Sequence, residues 1–178
     1  MQLVRLVVQQ REAARGKGAV ACAVTHSLVR SEVGSVWSFG KGVFGQLGHG
    51  SDSNEFMPRL IAPLEKVQVV AVAAGRHHSM ALSAEGHVFT WGDGVNGRLG
   101  HGDEDDRLVP TKVESLVGVS RIAAGGQHSL AVAGGMVYSW GYGNFGQLGL
   151  GDRNRRNVPT MVPGLGGVVA VEAGSFHS

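Results

Sequence analysis

At 178 residues, 43% of them hydrophobic, and with a formal charge of +2 at pH 7, the chain can bury a core and falls outside the disordered and strongly basic classes. Its basic excess is scattered, so nucleic-acid or chromatin binding is permitted but not indicated; no apolar run approaches the roughly 18 residues of a membrane helix, so no membrane partner is expected. The lone cysteine, Cys22, excludes an internal disulfide framework and reads as a small buried strand residue in an intracellular protein, cytoplasmic or nuclear.

Residues 1–16 form a non-repeat N-terminal segment, in which Leu3, Val4, Leu6, Val7 and Val8 suit a short strand or helix and Arg5 interrupts a run too short for a secretory signal. From residue 17 onward the chain falls into register, and 17–178 is one repeat array. The segment 19–27 aligns with 71–79, 121–129 and 170–178, and the closing His-Ser pair recurs at His26, His78, His128 and His177, spaced 52, 50 and 49 apart. After each of the first three pairs come a short apolar run, a turn and an alternating run. In the second copy these are Met80, Ala81 and Leu82, a turn over 83–86, then Val88, Phe89, Thr90 and Trp91. Short period-two runs separated by glycine turns predict antiparallel hairpins.

Each hairpin enters a glycine motif at 39–50, 91–102 or 140–151: an aromatic residue, G-x-G-x-x-G, a polar residue, then Leu-Gly-x-Gly. Taken singly, Gly92, Gly94 and Gly97 match a phosphate-cradling fingerprint, and Glu65 lies 20 residues after Gly45, where a dinucleotide-binding acid would sit. Such a loop must lead into a helix whose N-terminus faces the phosphates. Gln46-Leu47-Gly48-His49-Gly50 is too glycine-rich to propagate one, so the motif reads as a repeated structural corner and no cofactor is expected. A polar loop and then Pro58, Pro110 or Pro159 follow, and proline cannot donate to a central ladder, so each marks an outer edge strand. One repeat thus supplies about four short strands, the content of a propeller blade.

The series Ala-Gly-x-x-His-Ser, Val-x-x-Trp-Gly, Gly-Gln-Leu-Gly-x-Gly and Val-Pro, repeating at roughly 50 residues, resembles the repeat of the regulator of chromosome condensation family over about residues 17–178. The resemblance implies an all-β fold, a β-propeller of four-stranded antiparallel blades, seven in the family. This chain holds about three blades and the start of a fourth, so an incomplete propeller with exposed strand edges is expected, and the sequence reads as a fragment of a longer protein. Ala23 stands where the motif has glycine, and Phe39 where it has tryptophan; these departures predict degraded pairing in the first blade.

No catalytic constellation stands out. The repeated histidines belong to neighbouring blades and match no zinc spacing, so a repeated hydrogen bond fixing each strand start is expected rather than a metal. A Cys22 and His26 nucleophile-base pair fails because Ala74, Ala124 and Ala173 fill the cysteine position in the other copies. The serines lack both a Gly-x-Ser-x-Gly elbow and a recurring acid, so the chain is read as not an enzyme. Trp91 and Trp140 are assigned to core packing.

Function should therefore sit where the repeated frame varies. One variable set is the pair before each histidine, and the resemblance places Arg76, His77, Gln127 and Phe176 on one propeller face. The other is the loop after Leu-Gly-x-Gly, where Asp103, Glu104, Asp105 and Asp106 in the second copy stand against Arg153, Arg155 and Arg156 in the third. Adjacent blades then carry either an exposed ion-pair set or a charged face that steers a partner. These eleven residues are the candidate partner-binding set. On this reading the chain is a non-catalytic protein-interaction module or scaffold. The resemblance also implies two alternatives: guanine-nucleotide exchange on a small Ras-like GTPase, the founding member's activity, and substrate recruitment within a ubiquitin ligase. The partner would then be a small GTPase or a ubiquitin-pathway component. The copy spacings leave no room for a large inserted hairpin that would pry open a nucleotide site, which ranks exchange second.

Overall fold

The computed structural model describes residues 20–178; the segment 1–16, read above as outside the repeats, lies outside the described residues. Three four-stranded antiparallel sheets follow one another along the chain. The first holds β1 (Val20–Cys22), β2 (His26–Arg30), β3 (Val36–Gly40) and β4 (Glu55–Leu60). The second holds β5 (Val69–Ala74), β6 (His78–Ser83), β7 (Val88–Gly92) and β8 (Arg107–Lys112). The third holds β9 (Val119–Ala124), β10 (His128–Ala133), β11 (Met136–Gly141) and β12 (Arg156–Met161). Within each sheet the strands pair in chain order, and β1, β5 and β9 lie against one another as the innermost strands. Pro58, Pro110 and Pro159 all fall on the fourth, outer strands, where only one side of the ladder needs donors. No helix among the described residues is long and apolar enough to cross a membrane.

The core lies between the sheets. Leu28, Val36, Ile61, Leu64, Val69, Val72, Ala81 and Trp91 fill the seam between the first and second blades. Met80, Leu82, Val88, Val113, Leu116, Val119, Ala131 and Trp140 fill the next. Successive strand residues point to opposite faces, so β6 sends Ala81 back to the first seam and Met80 and Leu82 forward to the second. A strand covered on both faces has no solvated side, and all six residues of β6 are buried.

The same alternation explains the His-Ser pair. His78 points to the following blade and Ser79 to the preceding one. Ser79 Oγ donates to the Gln46 carbonyl at 2.8 Å, so it accepts from His26 Nε2 at 2.9 Å. His78 Nε2 meets Ser129 Oγ at 2.9 Å, and Ser129 Oγ donates to the Arg98 carbonyl at 2.9 Å. His128 and Ser178 repeat the contact at 2.9 Å, with Ser178 Oγ donating to the Gln147 carbonyl at 2.8 Å. The expected hydrogen bond therefore exists, but it crosses a seam instead of fixing a strand within its own blade. Segment 170–178 takes the place of the start of a fourth blade, with Gly174 N–H donating to the His177 carbonyl at 2.9 Å as Gly125 does to His128.

Two expectations are corrected. Pairing is kept at the two departures of the first blade: β2 and β3 match over five residue pairs from His26 and Gly40 to Arg30 and Val36, and Cys22 pairs with Ser27 beside Ala23. The Ala23 N–H still closes its turn on the His26 carbonyl at 2.9 Å, the same distance as Gly75 on His78, because that bond needs only the backbone. Cys22 is exposed, not buried, because it ends the innermost strand at the rim of a concavity.

The glycine after each motif aromatic has a steric cause. Gly92 has φ +106°, and a Cβ there would lie 2.5 Å from the His77 carbonyl oxygen and 3.2 Å from Gln46 Cα in the preceding blade. Both neighbours are backbone and cannot rotate away. Gly92→Ala is expected to destabilise the protein by about 1–3 kcal/mol, measured by urea denaturation; an unchanged midpoint would contradict this packing.

Candidate partner-binding face

The G-x-G-x-x-G corners are pinned from inside the blade. Ser38 Oγ, Thr90 Oγ1 and Ser139 Oγ, each one residue before the motif aromatic, donate to the carbonyls of Leu47, Leu99 and Leu148 at 2.6, 2.7 and 2.7 Å. In the first and third corners the buried Gln46 and Gln147 hold the loop, their Oε1 atoms accepting from the N–H groups of Phe44 and Phe145 at 2.9 and 3.0 Å. The second corner has Arg98 in that place and answers it with Asp93. Arg98 Nη1 lies 2.9 Å from Asp93 Oδ2, with the arginine side chain 3% exposed, and Asp93 Oδ1 accepts from Val95 N–H at 2.9 Å. Burial pulls the Arg98 pKa down, and Asp93 opposes that pull.

With the corners fixed, their middle residue reaches the variable pair of the next blade. Phe44 stacks on His77 with centroids 4.5 Å apart and planes 25° from parallel. Asn96 Nδ2 donates to Gln127 Oε1 at 3.1 Å. Phe145 meets Phe176 edge-on at 5.2 Å and Tyr142 at 5.9 Å. Apart from Tyr142 and Phe145, which share one corner, each pair joins chemically matched groups across a seam. His77, Gln127 and Phe176 thus sit on one face, but each also has an interblade contact. His77 Nδ1 lies 3.6 Å from Asp93 Oδ2; burial lowers the His77 pKa, with Asp93 pulling the other way. Arg76 is exposed and makes no ion pair among the described residues.

The charged loops pair partly within themselves. Asp103 holds Arg107 at 2.7 Å, and Asp152 holds Arg156 at 2.7 Å. Asp105 lies 4.0 Å from Arg107, and Asp106 Oδ1 accepts from Gly94 N–H at 2.8 Å. One contact crosses blades: Arg155 Nη1 to Glu104 Oε1 at 3.0 Å. Arg153 is exposed and has no ion-pair partner among the described residues. Both members of the Arg155–Glu104 pair are solvated, so a double-mutant cycle on Glu104→Ala and Arg155→Ala should give a coupling of about 0.2–1 kcal/mol; a value several times larger would contradict an exposed pair.

Phe44, Asn96, Phe145, Asp93 and Arg98 were not among the candidates drawn from the sequence. The signal for the last two was present, since the copy that replaces glutamine by Arg98 is also the copy with an acid at position 93. Among the described residues no three His, Cys, Asp or Glu side chains are grouped to hold a metal ion.

The four copies of the Ala-Gly-x-x segment meet around an open cavity of about 540 Å³. The model of the RCC1-like domain matches residues 3–178. The chain belongs to the RCC1-like domain family. Among RCC1-like relatives, the ultraviolet-B receptor UVR8 of Arabidopsis thaliana is 42% identical over 117 residues, which cover 64% of this chain and 27% of the receptor. The human E3 ubiquitin-protein ligase HERC2 is 46% identical over 111 residues, covering 61% of this chain and 2% of the ligase. The crystal structure of Prp20p from Saccharomyces cerevisiae superposes with a TM-score of 0.80 at 27% identity, covering 88% of this chain and 41% of that one. The chain therefore spans less than half the length of each of these RCC1-like proteins.

Proposed function

We propose that this chain is a non-catalytic protein-interaction module that presents the variable residues of its propeller face to a protein partner. The observation that supports it most is how the invariant residues are used. The histidines, serines, tryptophans and corner glycines are engaged with one another across seams, whereas Arg76 and Arg153 project from the same frame unpaired. In each His-Ser contact the serine hydroxyl donates to a backbone carbonyl instead of to the histidine, and no carboxylate among the described residues meets the other ring nitrogen, so the base and orienting acid of a triad are not in place. Reversing the basic loop with Arg153→Glu, Arg155→Glu and Arg156→Glu should abolish recovery of at least one partner in a quantitative pull-down. Unchanged recovery of every partner would remove that loop from the binding face.

Two of the proteins it resembles keep narrower readings in play. Prp20p has been described with its binding properties to Gsp1p and histones, which supports a small GTPase as partner. HERC2 is a ubiquitin ligase of which the matching stretch is a small part, which fits a substrate-recruiting role. Both are binding roles for these blades, and the loop-reversal experiment reports on either.

A further inference from the structure

The cavity at the meeting point of the repeats exists because each of the four copies supplies small residues to its wall: Cys22 and Ala23, Ala74 and Gly75, Ala124 and Gly125, Ala173 and Gly174. At Gly75 and Gly125 a Cβ would run into the ring of His78 or His128, although the first copy carries Ala23 at that place. The wall is therefore kept short by the same histidines that lock the seams. Among the described side chains that line the cavity, Arg76 carries the single formal charge. The nearby carboxylate of Asp93 is engaged by Arg98 at 2.9 Å and faces His77 at 3.6 Å, so it does not neutralise Arg76. Gln127 and Ser175 add neutral polar groups to the lining, and Phe176, half exposed, forms an apolar wall.

We propose that this cavity takes the carboxylate side chain of an acidic segment in a protein partner, with the carboxylate on the Arg76 guanidinium and an adjoining apolar side chain against Phe176. An arginine matches a carboxylate in geometry as well as charge, and a concave wall of small uncharged residues leaves room for the side chain while offering no competing anion. The proposal rests on the interaction-module reading and names the partner's chemistry at one point of that face.

The test is to pan a random heptapeptide display library against the full 178-residue chain and against its Arg76→Glu variant, then measure the best selected peptide by fluorescence anisotropy. Arg76 is exposed, so the substitution should leave the fold intact, which near-UV circular dichroism checks. Expected are peptides enriched in Asp or Glu beside an apolar residue for the parent chain, and in Lys or Arg for Arg76→Glu. The best parent peptide should bind Arg76→Ala at least tenfold more weakly, and changing its acidic residue to the amide should cost a similar factor. Peptides without acidic enrichment, or equal binding to Arg76→Ala, would overturn the proposal. If binding were instead lost only with the Arg153, Arg155 and Arg156 reversals, the cavity proposal would fall while the interaction-module reading stood.

Discussion

Trp91→Ala is expected to lower the unfolding free energy by about 3–5 kcal/mol, the largest effect of any single substitution considered. Trp91 is 0% exposed and sits among Leu28, Val36, Ile61 and Leu64 of the preceding blade, so truncation opens a cavity in a seam and not within a sheet. Its Nε1–H also donates to the Gln46 carbonyl at 2.9 Å. Trp91→Phe separates the two contributions. It keeps most of the apolar volume, and the Gln46 carbonyl still accepts from Ser79 Oγ at 2.8 Å, so a cost of about 1 kcal/mol is expected. Because the blades hold each other by nearest-neighbour contacts, the alanine variant should also broaden the urea transition as the first blade uncouples from the second. A loss below 1 kcal/mol for Trp91→Ala would contradict the seam as the site of the core.

The second large effect is on pH. Burial pushes the pKa of His26 and of His128 from 6.5 down to about 4, and that of His78 well below 6.5. The neutral ring is the form that fits, since Nε2 donates to the next blade's serine while Nδ1 of each is buried without a partner. In the unfolded chain these rings take up protons near their ordinary pKa, and in the folded chain only near 4, so the unfolded state binds more protons between those values. The stabilisation is therefore complete above about pH 6.5 and is lost as pH falls towards 4, with about 3 kcal/mol at stake for each of His26 and His128. Arg156 holds Asp152 below the usual carboxylate value, and the Asp105 N–H followed by Arg107 does so for Asp103 against the opposing pull of desolvation, so those groups act at lower pH still. Urea midpoints at pH 7.5 and 4.5 should differ strongly, and His26→Gln should reduce the difference. Equal midpoints at the two pH values would contradict neutral histidines in the seams.

Much of this architecture was legible in the sequence because it repeats. Three aligned copies reveal where strands alternate, where glycine turns the chain and where Pro58, Pro110 and Pro159 mark an edge, and each of these is a local property of the backbone. The seams were harder to read. His26 and Ser79 stand 53 residues apart, and the spacing alone does not say whether a histidine bonds within its own blade or to the next. The alternation of adjacent strand residues held that answer, since His78 and Ser79 must face opposite ways. For the same reason His77, Gln127 and Phe176 were found as variable positions, while their partners Phe44, Asn96 and Phe145 were not: the pairing joins two motifs from different repeats. Cys22 was misread because strand membership suggested burial, whereas the end of the innermost strand borders an open cavity.

Nucleotide release is the sharpest test of the proposal that these blades bind a partner and do no chemistry. The full chain, in excess, is added to Gsp1p loaded with mant-GDP, and the loss of fluorescence is followed in time. The release rate should stay at its intrinsic value, whether or not the chain binds the GTPase. Acceleration of tenfold or more by this chain alone would contradict that proposal.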